Sequence, residues 1–230
     1  PTQKQCAMVC VADLRWRVVE EPKGKLMQRL REAISDGRVI DAMERVPREA
    51  FVPLEYRDAA YEDTALPTTE GQTISQPFMV ATMVEALEPR RSDRLLEVGT
   101  GSGYQAAVLA ELVREVVTVE RIESLAKSAL NRLTSLGYMN VIVKVADDHI
   151  GWGKGAPYDG IVVAAAAPKL IRGLVDQLAV GGRLVIPVGG RKEQNLIKVT
   201  RSDTTYSVKT LVPCRFVPLI GQDAWPGDQS

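Results

Sequence analysis

The chain is poor in several residue types. Among 230 residues it has three cysteines, one histidine and only 5% aromatics. An odd, sparse set (Cys6, Cys10 and Cys214) is no disulfide framework and points to a reducing, cytoplasmic setting. A zinc centre would need His149 together with three scattered cysteines. A Ser-His-Asp hydrolase would have to use His149 as its base, and no Gly-x-Ser-x-Gly elbow occurs. There is no charge excess: 29 basic residues face 29 acidic ones. The simplest argument for a nucleic-acid or membrane-surface partner is therefore missing. No apolar run approaches the roughly 18 residues that span a bilayer. The Ala7–Ala12 stretch is too short, and lacks the cationic start, for a secretory signal.

What is present is an ordinary globular composition, with 45% hydrophobic and 25% charged residues. Residues 1–24 read as a loosely packed or disordered extension, with a break at Glu20-Glu21-Pro22-Lys23-Gly24. Residues 25–230 read as one domain in three parts. In the first, residues 25–90, the apolar spacing predicts a helix from Leu26 to Ile34. A short helix follows over Val39–Arg45, and another over residues 78–88. Between the last two lies an irregular stretch, Phe51 to Pro77, whose length argues for a functional loop.

In the second part, residues 91–190, strands alternate with helices. Strands are expected at 94–98, 116–120, 141–146, 158–164 and 183–188, with helices at 104–114, 122–136 and 168–178. This alternation predicts an α/β doubly wound sheet, mostly parallel and covered on both faces. In the third part, residues 191–230, two strands around a polar turn form an antiparallel hairpin. The sum is a seven-stranded Rossmann-like sheet with one reversed strand.

In such a sheet the ligand lies beyond the carboxyl ends of the strands at the switch point. Gly99-Thr100-Gly101-Ser102-Gly103 follows the first strand and permits close approach to a ligand. Glu120 ends the second strand, where a carboxylate can accept from both ribose hydroxyls of an adenosine. Gly101-x-Gly103-x-x-Ala106 also satisfies the looser dinucleotide pattern. Glu97, two residues before Gly99, favours a ligand with an ammonium over one with a pyrophosphate; it could equally be a solvated or paired side chain. The terminal hairpin likewise points away from a simple dinucleotide fold, and S-adenosyl-L-methionine is the adenosine ligand that fits both features. Asp147-Asp148 ends the third strand and suits either an adenine contact or a turn. Ala164–Ala167 leaves room for a substrate or serves close packing. An Asn-Pro-Pro-aromatic sequence, used by many methyltransferases of amide or base nitrogens, does not occur here.

Taken together, these segments resemble the protein-L-isoaspartate (D-aspartate) O-methyltransferase family over about Leu26–Gly221. The narrowest block is Gly71-Gln72-Thr73-Ile74-Ser75-Gln76-Pro77. It is followed by Leu96–Gln105, Val119-Glu120-Arg121-Ile122, Ala156–Asp159, Gly181–Gly189 and Phe216–Leu219. The resemblance implies methyl transfer from S-adenosyl-L-methionine to the free α-carboxyl of isoaspartyl residues. The methyl ester then closes to a succinimide, from which some chains return to aspartate. Damaged proteins and peptides would be the partners; neither nucleic acid nor membrane is expected, and the chain should be a monomer.

The same match implies a role for each residue. Ser75 would orient substrate or donor, without covalent attack; a turn or a cap on the following helix is the alternative. Thr73, Ile74, Ser75 and Gln76 would border the donor, with Arg121 beside it. Gly99, Gly101 and Gly103 would face its methionine portion together with Glu97, Glu120 its ribose, and Asp147 and Asp148 its adenine. Phe216-Val217-Pro218 and Ala164–Ala167 would shape a peptide groove. The chain departs from the family where Ala146-Asp147-Asp148 replaces Gly-Asp-Gly, which weakens the adenine assignment. Competing readings are a related methyltransferase of RNA or a small molecule, a scaffold without catalysis, and an NAD-linked oxidoreductase.

Overall fold

A computed structural model describes residues 11–147 and 149–226. Helix α1 covers Val11–Ala33 and α2 covers Gly37–Arg45. Two short 3-10 turns, Arg48–Phe51 and Leu54–Ala59, lead to a two-residue pair, β1 (Leu66–Pro67) and β2 (Thr73–Ile74). Helix α3 (Pro77–Leu87) then enters the sheet domain. There follow β3 (Arg94–Val98), α4 (Tyr104–Ala110), β4 (Glu115–Glu120), α5 (Glu123–Ser135) and β5 (Val141–Val145). The order is completed by β6 (Tyr158–Val163), α6 (Arg172–Asp176), β7 (Leu178–Gly189), β8 (Gln194–Arg201) and β9 (Tyr206–Cys214).

The large sheet has the order β5-β4-β3-β6-β7-β8-β9. Strands β3 to β7 pair in parallel, and β8 runs antiparallel to both neighbours. This is the predicted doubly wound sheet with one reversed strand. The chain leaves β3 towards β4 and β5, then returns to lay β6 on the other side of β3. The switch point is therefore β3/β6, and the crevice opens at its carboxyl end.

Alternation along the strands sends successive side chains to opposite layers. Leu95, Val116, Val162 and Val185 join the core beneath α1–α4. Leu96, Val117, Ile161, Val163, Leu184 and Ile186 join the opposite core, around α6.

Local details depart from expectation. Helix α1 begins at Val11 and runs through Glu20–Gly24, so the break placed there, and disorder over 11–24, are corrected. A proline inside a helix removes one hydrogen bond but does not forbid continuation, and from Leu26 onward α1 is held by buried Leu26, Met27 and Leu30. Residues 1–10, with Cys6 and Cys10, lie outside the described residues. The helix expected over 168–178 is much shorter, Arg172–Asp176. Just before it, Ala166 and Ala167 form bridges to Pro218 and Val188.

One buried ion pair fixes α3 against the sheet. Arg183 on β7 donates from Nη2 to Asp93 Oδ2 at 2.7 Å, with both side chains under a tenth exposed. The same guanidinium satisfies the carbonyls of Leu87 and Glu88 at the end of α3. Arg183→Met would leave the buried Asp93 carboxylate with the Arg90 amide but no counter-ion, and would take the guanidinium from the Leu87 and Glu88 carbonyls. We expect a loss of about 3–5 kcal/mol, read from urea unfolding midpoints.

Candidate active site

Above the switch point lies a cavity of about 770 Å³. Its floor is the end of β3 and the glycine loop; the end of β4 brings Glu120 and, just beyond it, Arg121. One wall is the Gly71–Ser75 segment, with β2, and the other is Val217–Gln222. Of the residues expected to border the donor, Thr73, Ile74, Ser75, Glu97, Gly99, Gly101, Glu120, Arg121 and Asp147 line it. Asp148 lies outside the described residues. Of the expected peptide groove, Ala164, Ala165, Val217 and Pro218 line the cavity. Ala166 and Ala167 are buried in packing instead, and Phe216 packs against the core beneath α1–α4.

Two of the residues expected at the donor point elsewhere. Gly103 sits in the left-handed region (φ 88°) at the start of α4. A Cβ there would lie 3.3 Å from Leu133 of α5, so this glycine lets the loop pack on α5 and does not face the cavity. Gln76 turns its side-chain amide to the Asp63 carbonyl at 3.0 Å. Gly101, also at positive φ (51°), has no atom within 4 Å of such a Cβ, so its backbone is open to a ligand.

Glu97 is fully buried. Thr118 Oγ1 donates to its Oε2 at 2.5 Å, and Thr100 Oγ1 lies 2.7 Å from Thr118 Oγ1. With a single hydroxyl proton on Thr118, Thr100 must donate to it when Glu97 is ionised. Glu97 is thus neither solvated nor ion-paired. Burial, aided by the Glu120 charge and opposed by the Thr118 and Gln105 side chains, pushes its carboxyl up to about 8. Its Oε1 and the buried Gln105 Nε2 have no hydrogen-bond partner, and both residues line the cavity. The Gln105 amide nevertheless acts on the Glu97 carboxyl, so the two lie side by side; an acceptor and a donor so placed in one pocket suit the ammonium and carboxylate of an amino-acid moiety.

Glu120 holds the far side. Its Oε2 accepts from the Gly101 amide at 2.9 Å and its Oε1 from the Ile122 amide at 3.0 Å. These bonds fix the carboxylate at the mouth of β4 and leave lone pairs on both oxygens for a vicinal diol. Asp147 accepts from the His149 amide at 3.0 Å, which with the nearby Lys154 keeps its carboxyl below the usual range. It forms a turn and lines the cavity at once.

Ser75 lines the cavity opposite the glycine loop. It does not cap α3: the N-cap position is Gln76, without a side-chain cap bond, and the Phe78 amide is met by Asp63 Oδ1 at 2.9 Å. Sequence reasoning missed Thr118, Gln105 and Arg191 in or around this pocket. Thr118 had a signal, a hydroxyl between valines in a buried strand. Gln105 and Arg191 had none.

The model of the protein-L-isoaspartate(D-aspartate) O-methyltransferase family matches residues 21–224. The chain belongs to this family. A protein-L-isoaspartate O-methyltransferase 2 from Marinobacter nauticus is 54% identical over 195 residues, 84% of this chain and 89% of that one. The protein of the same name from Pelobacter propionicus is 54% identical over 200 residues, 86% and 89% of the two chains. A solved protein-L-isoaspartate O-methyltransferase superposes with a TM-score of 0.77 at 28% identity, covering 88% of this chain and 67% of the other. A Plasmodium falciparum structure of the same family name, in complex with S-adenosyl-L-homocysteine, gives 0.70 at 26% identity, covering 84% and 95%.

The buried carboxyl makes stability depend on pH. Its folded-state value of about 8 exceeds the ordinary 4.5, so the native state keeps a proton that the unfolded chain has released. The stability this gives is complete below pH 4.5 and is lost as pH rises to about 8. Glu97→Gln should therefore gain stability relative to the parent across that interval and hold a constant advantage above it. Melting temperatures of the two proteins, taken from pH 5 to about pH 9 without ligand, check this.

Proposed function

We propose that this protein repairs isoaspartyl damage: a methyl group passes from S-adenosyl-L-methionine to the free α-carboxyl of an isoaspartyl residue. Family membership carries the reaction. The single structural observation that supports the residue roles is the meeting of Ser75, the glycine loop and the buried Glu97 carboxyl in one cavity.

The bound donor supplies an electrophilic methyl on a sulfonium. Glu97 Oε1 and Gln105 Nε2 would hold its amino-acid end, Glu120 its ribose and Asp147 its adenine. With an ammonium against Oε1, Glu97 gives up the proton that burial otherwise keeps on it. The nucleophile is already a carboxylate, so the chain needs no general base. This agrees with a single histidine that is exposed at the pocket mouth. What remains is positioning of the carboxylate for in-line attack and exclusion of water. Ser75 Oγ would donate to one carboxylate oxygen and so aim the other at the methyl. Val217–Leu219 and Ala164–Ala165 border the same cavity and would accept the peptide through backbone bonds, which carry little sequence preference. The sparse cysteines and balanced charge favour a cytoplasmic protein without nucleic-acid or membrane partners.

Two peptides that differ only in a normal or an isoaspartyl linkage test the reading. Incubated with methyl-labelled donor, the isoaspartyl peptide alone should yield base-released labelled methanol. Label on neither, or on both equally, would overturn it. Glu120→Ala should weaken S-adenosyl-L-homocysteine binding by roughly 1.5–3 kcal/mol, the worth of hydrogen bonds to a charged acceptor. Titration calorimetry measures this, and unchanged affinity would remove Glu120 from the site. Ser75→Ala should lower kcat by about 10²-fold or more while the same calorimetry shows donor affinity intact.

A further inference from the structure

Arg48 stands outside everything assigned so far. It opens the 3-10 turn after α2 and is completely buried. A buried arginine is ordinarily paired with a carboxylate, yet no described carboxylate forms an ion pair with it. Asp63 acts on it only from a distance and spends its Oδ1 on the Phe78 amide. Arg48 Nε donates to the Ala60 carbonyl at 2.8 Å and Nη2 to the Ser75 carbonyl at 2.9 Å. Its Nη1 has no partner. The guanidinium lies over the Tyr104 ring, 4.7 Å from the centroid, and Tyr104 lines the cavity at the start of α4. The ring face attracts the cation but does not neutralise it. Burial lowers the affinity of this group for its proton, which is the cost of a charge without a paired counter-ion.

One side chain thus ties the Ser75 wall of the pocket to the head of α4, which follows the glycine loop of the floor. We propose that Arg48 is a positioning residue for methyl transfer: it sets the Ser75 backbone, and its unpaired positive charge biases the site towards an anionic substrate. The planar fork matters because two carbonyls on different segments are held by one rigid group. The charge matters because the substrate arrives as a carboxylate, and the pocket's own carboxyls, Glu97 and Glu120, would repel it. This proposal rests on the reaction proposed above.

The two halves separate in Arg48→Lys, which keeps the charge and loses the fork, and Arg48→Met, which loses both. Each is assayed with the isoaspartyl peptide, and each is titrated with S-adenosyl-L-homocysteine. We expect donor affinity within about threefold of the parent in both, because Glu97 and Glu120 hang on the sheet. In Arg48→Lys, kcat should fall about 10- to 100-fold, the cost of slight misplacement, with the peptide KM nearly unchanged. In Arg48→Met a similar fall in kcat should come with a KM raised roughly tenfold or more, the mark of a lost charge. Parent-like kinetics in Arg48→Met would overturn the proposal. So would losses in both variants that merely follow a reduced folded fraction or a reduced donor affinity. In that case Arg48 only holds the fold. Should Arg48→Met not fold, Arg48→Lys alone decides, since a structural role predicts a lower melting temperature with kcat per folded molecule unchanged. A parent protein that labels no isoaspartyl peptide would instead remove the reaction itself, and Arg48's part in it.

Discussion

The chain reverses its direction of travel at β3, and the cavity follows from that constraint. Strands β4 and β5 are laid to one side of β3 and β6 to the other, so no crossover covers the carboxyl end of β3. The glycine loop, Glu97 and Glu120 all stand within a few residues of that point, and each takes its chemistry from it. Glu97 is dry because β4 and β6 flank it; Glu120 is fixed because the glycine loop folds back onto it.

The pocket walls are of a different origin. Neither the Gly71–Ser75 segment nor Val217–Gln222 belongs to the parallel part of the sheet. They come from regions far apart in sequence. The first is anchored by side chains behind the pocket: Asp63 on the amide of Phe78, Arg48 on the carbonyl of Ser75. The floor has a geometry common to many α/β folds. The walls lie outside that common geometry, and behind one of them sits the buried charge of Arg48.

This division explains what was legible in the sequence. Strand-helix alternation, Gly99, Gly101 and Glu120 could be read because a backbone conformation or a strand end dictates the residue type. The hairpin was legible for the same reason. Gly103 lies off the cavity, and a glycine needed for helix packing looks, in sequence, like one needed for a ligand. The helix through Pro22 was missed because propensity is a weak guide. Gln76 was assigned by its neighbours in a motif, and only the position of Asp63 shows that its amide turns away. Arg48 could not be seen at all. Nothing in a chain with 29 basic residues marks one arginine as buried; that depends on Ala60, Ser75 and Tyr104 converging on it.

The Val217–Gln222 wall has a further consequence. It is closed on itself by few bonds, from the Gly221 amide to the Trp225 carbonyl and from the Trp225 amide to the Leu219 carbonyl, with Arg191 stacked on the Trp225 ring. Its backbone joins the sheet domain at Ala166, whose amide donates to the Val217 carbonyl and whose carbonyl accepts from the Leu219 amide. Such a segment can open by itself while the strands beneath stay paired. Movement of this flank alone would change the width of the cavity and leave its floor as it is.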